Sequence, residues 1–350
     1  MTFPADQADR IVRRSTAHLL WIIGRKGRFI YAHRPDNPSA VIEGYNMLRH
    51  CGTLWFMLRA ITERRIAITD AQARALSDAT GYAGAKMERP AWIADPTLAL
   101  VTKGAIKTGG VGLSLMMLLA WRDLAALRDV PAPALPAPLD DTIAALVAYG
   151  LHQIDGDDVH HKRRLDTGEI TPFRSDYYTG ELLLGLICAG APASATGPLT
   201  AALMARDYGV DIQSHWMAYA ACEAIERGHV DAATGEAYLA RLVTGMATDT
   251  TYRLRRASTP IACRTEALTR ILMLADRRGP ACTLSPQILA TARHEAVTNL
   301  SLQLEWYRNG QFLKSDDDDR VQIDYIQHNG TAYLNWLALP AQEGLAAAQH

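Results

Sequence analysis

Three pairs of polar residues are the strongest chemical signal in this sequence. In each pair a side-chain oxygen precedes an imidazole by four positions, so both side chains share one face if the segment is helical. A carboxylate beside a histidine fixes the tautomer of the ring and raises its basicity, which suits a general base or a metal ligand. The pairs are Asn46 with His50, Asp211 with His215, and Asp324 with His328.

Further polar residues lie beside these pairs or in matching positions elsewhere, and each cluster is followed by an apolar run. We expect some of them to move protons and others to hold the substrate, with the basic ones binding a carboxylate or phosphate. The expected catalytic residues are His50, His215, His328, Tyr178, Glu181 and Asp324. The expected substrate-binding residues are Asn46, Arg49, Lys107, Arg264, Glu266 and Asp211.

A purely structural role stays open for each of these residues. A single histidine on an apolar helix is usually a hydrogen-bonded core residue, and Glu181 could cap its helix through the backbone. The strings "HCGT" at 50–53 and "HNGT" at 328–331 place Gly52 and Gly330 where two helices could approach closely. The "TGG" at 108–110 fits close helix packing as well as a phosphate site.

Apolar residues at helical spacing, interrupted by Gly, Pro and Asp clusters, predict about twelve helices. Strand signals are few and short, at 28–34 and 158–173, so the fold class is all-α with one or two short β-hairpins. The predicted helices cover 7–24, 42–61, 69–79, 108–128, 139–153, 177–190, 197–208, 213–228, 231–247, 261–277, 286–306 and 325–338.

The polar clusters lie at the start of every second helix. The helices between them, such as 231–247 and 286–306, spread their charges along an amphipathic face. This alternation predicts an inner and an outer set, as in six helical hairpins closed into an (α/α)6 toroid. Inner helices then point the same way, and their N-termini share one mouth where the helix dipoles favour an anionic ligand.

The least structured connection is the Pro/Ala-rich segment 130–141, an extended spacer. Because the helical pattern has the same character on both sides of it, we interpret it as a crossover inside a single domain spanning 1–350. The acidic run "DDDD" at 316–319 is expected to be a solvated loop.

Composition and charge exclude several classes of function. A net charge of −1 provides no long-range field for nucleic acid or an acidic membrane. There is no signal-peptide pattern, and no uninterrupted apolar run approaches the roughly 18 residues needed to span a bilayer. The five cysteines are scattered without a CxxC pair, as in a cytoplasmic protein. No two histidines share a short metal-binding motif, so we expect neither a metal nor another cofactor.

Several strings resemble those of bacterial (α/α)6-toroid proteins of the broad carbohydrate-active kind. The resemblance covers about residues 25–338, and the strings are "YNMLRHCGTLWFMLRA", "KTGGVGLSLMMLLA", "YYTGELLLGL", "SHWMAYA", "STPIACRTEAL" and "VQIDYIQHNGT". It implies sugar epimerases, which pair inner-helix histidines as acid and base, as His215 and His328 could do. It equally implies uronate lyases, for which residues 46–50 and Tyr178 offer the chemistry, and hydrolases.

The leading hypothesis is an enzyme that uses general acid/base chemistry on a polar, anionic sugar-like small molecule or oligosaccharide, as a hydrolase, epimerase or lyase. A hydrolase would use two carboxylates, here Glu181 with Asp324 or Glu266. One alternative is a biosynthetic-cluster enzyme on the same scaffold, terpene-cyclase-like or peptide-modifying. An aromatic cavity and a buried "DDDD" run would favour it. A second alternative is a non-catalytic binding toroid in which the clusters only cap helices.

Overall fold

A computed structural model describes residues 2–35 and 37–340 of the chain, and helices dominate it. All twelve predicted helices are present, with ends shifted by a few residues, and the all-α prediction is confirmed. The first six helices are α1 Ala5–Trp21, α2 Met47–Glu63, α3 Asp70–Gly84, α4 Thr108–Leu127, α5 Leu139–Leu151 and α6 Tyr178–Cys188. The others are α7 Ala193–Ala205, α8 His215–Glu226, α9 Ala232–Thr248, the one-turn α10 Thr251–Leu254, α11 Ser258–Arg278, α12 Pro286–Gln303 and α13 Ile323–Leu337.

Six of these helices form a closed inner ring, which confirms the toroid prediction. Each packs against the next in the order α2, α4, α6, α8, α11 and α13, and α13 returns to α2. The outer layer consists of α1, α3, α5, α7, α9 and α12. The central helices are apolar on nearly all sides because they touch both the axis and the outer layer.

Helix α4 shows how strongly an inner helix is buried. By length and composition alone it could cross a membrane, and it is the only helix in the described part of the chain that meets those criteria. However, 72% of its apolar window is buried inside the protein. Burial within the ring therefore explains the apolar character of α4.

Short antiparallel strands surround the end of the ring at which the inner helices begin. The first six strands are β1 Ala32–Arg34, β2 Asn37–Val41, β3 Met87–Glu88, β4 Ala99–Thr102, β5 Ala105–Lys107 and β6 Ile154–Asp155. The next five are β7 Asp158–Val159, β8 Lys162–Arg164, β9 Tyr307–Arg308, β10 Gln311–Phe312 and β11 Val321–Gln322. A three-stranded sheet has the order β11-β1-β2 and a four-stranded sheet the order β3-β4-β5-β8, while β6-β7 and β9-β10 are hairpins.

The ring closes where α2 meets α13, and glycines permit the close approach. A Cβ on Gly330 would overlap the ring of Phe56, and one on Gly52 would lie 3.0 Å from the Gln327 side chain. The two His-x-Gly-Thr strings therefore lie on neighbouring helices, as their glycines suggested.

The Pro/Ala-rich segment packs against the outer helix α3. Ser77 donates a hydrogen bond to the carbonyl of Ala132 at 3.1 Å, and Gly81 and Gly84 approach Ala134. The main hydrophobic core includes residues from both sides of this segment. The last ten residues of the predicted domain lie outside the described residues.

Candidate active site

A cavity of about 500 Å³ opens at the N-terminal end of the inner helices. All six inner helices or the residues just before them contribute to its wall, as expected for a shared mouth. Helix dipoles pointing into it favour oxygen atoms that carry negative charge. The polar and aromatic residues that define its chemistry are Arg49, Tyr177, Tyr178, Glu181, His215, Trp216, Tyr252, Cys263, Arg264, Asp324 and His328.

His328, on α13, is bound to a carboxylate of a neighbouring inner helix. Its Nδ1 donates to Oε1 of Glu266 on α11 at 2.7 Å, and Glu266 is fully buried. Burial alone would lower the pKa of His328, but the adjacent Cys263 and Glu266 outweigh it and hold that pKa well above the ordinary value. His328 is therefore protonated at neutral pH.

The hydrogen-bond chain continues from Glu266 down the axis of the ring. Tyr219 donates to the other carboxylate oxygen of Glu266 at 3.0 Å. Asn335 donates to the Tyr219 hydroxyl at 2.7 Å, and Arg59 donates to Asn335 at 3.1 Å. The orientation of His328 is thus set by four side chains that lie progressively deeper in the barrel.

His215, the first residue of α8, lies beside His328 but has the opposite charge preference. The ring centroids are 5.2 Å apart and nearly perpendicular. Burial lowers the pKa of His215 well below the ordinary value, and the positive charges of His328 and Arg264 lower it further. Its buried Nε2 has no hydrogen-bond partner among the described residues. The wall therefore presents a neutral imidazole next to a protonated one.

Glu181, on the first turn of α6, is a buried acid facing the same cavity. Burial raises its pKa from 4.5 to about 8, against the opposing influence of His328 and Arg49. Within the described chain, its Oε2 has no hydrogen-bond partner. A Cβ on Gly109 of α4 would overlap this oxygen, so the "TGG" sequence makes room for the carboxyl group.

Arg49 and Asp324 join α2 to α13 across the mouth. Arg49 Nε lies 2.6 Å from Asp324 Oδ2, and the Asp324 side chain is buried whereas that of Arg49 is 44% exposed. Asp324 therefore serves as the partner of an arginine rather than of the histidine four residues later. Arg49 is also one of the residues that line the cavity.

The other expected anion-binding residues have different roles. Arg264 donates to Gln213 at 2.8 Å and to the carbonyl of Ile212 at 3.1 Å, so it fixes the loop before α8. Lys107 precedes α4 at the end of β5 and is outside the residues that line the cavity. Burial lowers the pKa of Lys107, and Lys162 and Arg49 lower it further.

His50, which was expected to be catalytic, does not face the mouth and is outside the residues that line the cavity. The fully buried ring lies between α2 and α3, with Nδ1 2.7 Å from the hydroxyl of Tyr45 and Nε2 2.8 Å from the carbonyl of Ala79. Burial lowers its pKa to about 4. The preceding residue, Arg49, points to the cavity, and adjacent helical residues are about 100° apart.

The three pairs at four-residue spacing also act differently from the expectation. Asn46 caps α2 by accepting a hydrogen bond from the Leu48 N–H at 2.9 Å. Asp211 is an exposed loop residue at the rim, ahead of the first turn of α8. The carboxylate that orients a histidine comes instead from Glu266, which was expected to bind substrate or to act with Glu181 in a hydrolase.

Sequence reasoning missed Cys263, Tyr219 and Asn335. Cys263 lies one turn before Glu266 on α11, and Tyr219 one turn after His215 on α8, so helical spacing from the chosen residues could have indicated both. Donor atoms of His215, Cys263, Glu266 and His328 lie within 4.8 Å of one another. This set could hold a metal ion. The sequence indicated no metal, because no two histidines share a short metal-binding motif.

The acidic run is an exposed loop away from this cavity, as expected. Asp316 pairs with Arg256 at 2.8 Å, and Asp318 pairs with Lys314 and Arg320. Asp319 pairs with Arg34. Because these carboxylates are exposed and ion-paired, they cannot act as a buried acid on an alkene.

Comparisons with known proteins show the fold alone. No family model and no curated protein matches the sequence. The chain is similar to a solved D-mannose isomerase, with a TM-score of 0.65 and 10% identity over 96% of this chain and 99% of that one. A type II terpene cyclase from Scytonema, solved with merosterolic acid A, gives a TM-score of 0.49 and 13% identity over 95% and 98% of the two chains. The likeness to the D-mannose isomerase shows a shared helical toroid fold.

Proposed function

We propose that this protein is an enzyme that moves a proton between carbon atoms of a polar, sugar-like substrate, as an isomerase or epimerase. The observation that carries the proposal is the pair His215 and His328, whose rings are 5.2 Å apart and whose pKa values are shifted in opposite directions. Two titratable groups separated in this way are suited to act as base and acid at the same pH.

The opposite pKa shifts of the two imidazoles indicate which one acts as the base and which as the acid. Neutral His215 takes the proton from the carbon next to the substrate carbonyl, while protonated His328 gives a proton to the carbonyl oxygen. The product of this step is an enediol, and the N-terminal ends of six helices stabilise the charge that develops on its oxygens. Return of a proton to the neighbouring carbon gives the isomer, and return to the opposite face gives the epimer.

The rest of the cavity fits a polyhydroxylated molecule. Tyr177, Tyr178, Trp216 and Tyr252 present aromatic surface, and Glu181 offers a carboxylic acid that keeps its proton at neutral pH. Arg49 and Arg264 are already engaged with protein groups. The proposed substrate is therefore a neutral free sugar rather than the anionic one that the sequence suggested.

The D-mannose isomerase supports the proposal only through its fold. Its name states a reaction of the class proposed here, and its scaffold matches nearly the full length of this chain. Glycoside hydrolysis by the carboxylate pairs that the sequence suggested is less well supported, because Asp324 and Glu266 are each bound to a basic partner.

Deuterium exchange tests the proposal across a panel of free sugars. Aldoses, ketoses and N-acetylhexosamines are incubated with the protein in D2O, and proton NMR follows the loss of the signal at the carbon next to the carbonyl. We expect exchange with at least one free sugar, reduced by at least about a hundredfold in His215→Asn and His328→Asn, since general acid/base groups contribute roughly 10²–10⁴.

His152→Ala serves as the matched control, because His152 is an exposed histidine on the outer face. It is expected to exchange at the wild-type rate. Thermal unfolding of all three variants shows whether the fold is intact. No exchange with any sugar, or equal exchange in the wild type and the two mouth variants, contradicts the proposal.

A further inference from the structure

Four donor side chains of three chemical kinds meet at one wall of the cavity. His215 from α8, Cys263 and Glu266 from α11, and His328 from α13 each bring a donor atom to within 4.8 Å of the others. Three of the four residues are buried and the fourth is half-buried. The two histidines are far apart in sequence, so the cluster forms only when three inner helices have packed together.

The chemistry of the set matches zinc. Zn²⁺ binds imidazole, thiolate and carboxylate in four-coordinate sites. With the thiol and the carboxyl group ionised and both imidazoles neutral, the four donors carry a charge of −2, which one Zn²⁺ neutralises. That balance matters here because an uncompensated charge is costly in a buried site.

A second observation points to a ligand at the same place. The buried Nε2 of His215 lacks a hydrogen-bond partner in the described chain, although polar atoms in protein interiors are nearly always paired. A buried imidazole that lacks a partner at one nitrogen, beside a thiol and a carboxylate, is suited to bind a cation. Neighbouring Glu266 is in turn held by Tyr219, which gives the cluster a rigid support.

We propose that His215, Cys263, Glu266 and His328 form a binding site for Zn²⁺ that switches off proton transfer. The binding part stands by itself, and the regulatory part rests on the proposed function. Metal ligands must be deprotonated, so zinc binding requires Cys263 as the thiolate and His328 as the neutral imidazole. The lone pair of His215 that would accept a substrate proton is then occupied, and zinc binding and proton transfer exclude each other.

Cobalt provides a spectroscopic probe that does not depend on turnover. Chelator-treated wild-type protein is titrated with Co²⁺ and then with Zn²⁺. We expect one ion per chain, visible bands of tetrahedral Co²⁺, and a thiolate-to-cobalt charge-transfer band that Zn²⁺ removes. Cys263→Ser should lose the charge-transfer band and weaken binding by at least about a hundredfold, and His215→Asn should weaken binding while keeping that band.

Cys282→Ser is the matched control, since Cys282 is a partly buried thiol outside the cavity. It should bind like the wild type. Failure of the wild type to bind one ion, or an unchanged charge-transfer band in Cys263→Ser, overturns the site. Deuterium exchange that continues at the same rate in zinc-loaded wild-type protein overturns the regulatory part. If no sugar exchanges at all, the proposed function fails while the cobalt spectra still decide the metal site.

Discussion

His328 donates a hydrogen bond to Glu266 at 2.7 Å, although 62 positions separate the two residues in the chain. The contact joins two neighbouring inner helices at the level where the cavity begins. Together with Cys263, Glu266 raises the pKa of His328 well above its ordinary value, against the effect of burial. The candidate site therefore depends on the closure of the ring as well as on the residues themselves.

Tyr219→Phe tests whether the chain below Glu266 positions His328. Removal of the hydroxyl takes a donor from a buried carboxylate, and a hydrogen bond to a charged group is worth about 1.5–3 kcal/mol. We expect roughly a tenfold or greater loss of exchange rate at saturating sugar, with little change in KM and a shifted imidazole titration of His328 by NMR.

Tyr333→Phe is the control for this change. Tyr333 is also a buried inner-helix tyrosine, and its hydroxyl donates to the carbonyl of Leu300 instead of to Glu266. Equal losses of activity in both variants would show that the effect is only structural.

Glu181→Gln should make the stability of the protein less dependent on pH. The folded state keeps the proton of Glu181 up to about pH 8, whereas the unfolded chain releases it near pH 4.5. Between these values the folded state binds more protons, so this group lowers the free energy of unfolding as pH rises. In urea denaturation, the free energy of unfolding of the variant should rise relative to that of the wild type by a few kcal/mol between pH 5 and pH 8.

The exposed Glu169 supplies the matched comparison, because its side chain is 67% accessible. Glu169→Gln should follow the pH dependence of the wild type. A wild-type stability curve parallel to that of Glu181→Gln would show that Glu181 is not buried as an acid.

His50→Ala should destabilise the fold by about 2–4 kcal/mol, because it leaves the carbonyl of Ala79 without its donor and opens a cavity between α2 and α3. Urea denaturation measures the change, and exposed His152→Ala should stay within about 0.5 kcal/mol of the wild type. Wild-type stability in His50→Ala would contradict the structural role assigned to this histidine.

Gly112→Ala should be severely destabilising, since a Cβ there would overlap the backbone of Glu181 where α4 crosses α6. Gly245→Ala offers the contrast within one substitution type, because its Cβ would lie 3.6 Å from the nearest atom in an ordinary helical position. That variant should be neutral or up to about 1 kcal/mol more stable. Thermal unfolding of the pair checks the packing of the inner ring.

The sequence predicted the alternation of helices, and hence the shared mouth, because apolar periodicity and helix-start residues are local signals. It could not predict which of Arg49 and His50 faces the axis of the ring, because α2 is apolar on nearly all sides and has no polar face to orient it. Nor could four-residue spacing identify the partner of His328. That partner comes from another helix, and Asp324 satisfies an arginine instead. The residues of the mouth were thus easier to predict than their pairings.

The closure between α2 and α13 also determines when the site can form. Strand β1 pairs with β11 through Ala32 and Gln322, 290 positions apart, and α13 then fills the last place in the ring. Until α13 is in place, α2 and α11 each lack one neighbour in the ring. Contacts between such distant segments form slowly. The helix that completes the barrel also carries His328, so the proposed pair of His215 and His328 exists only in the closed ring.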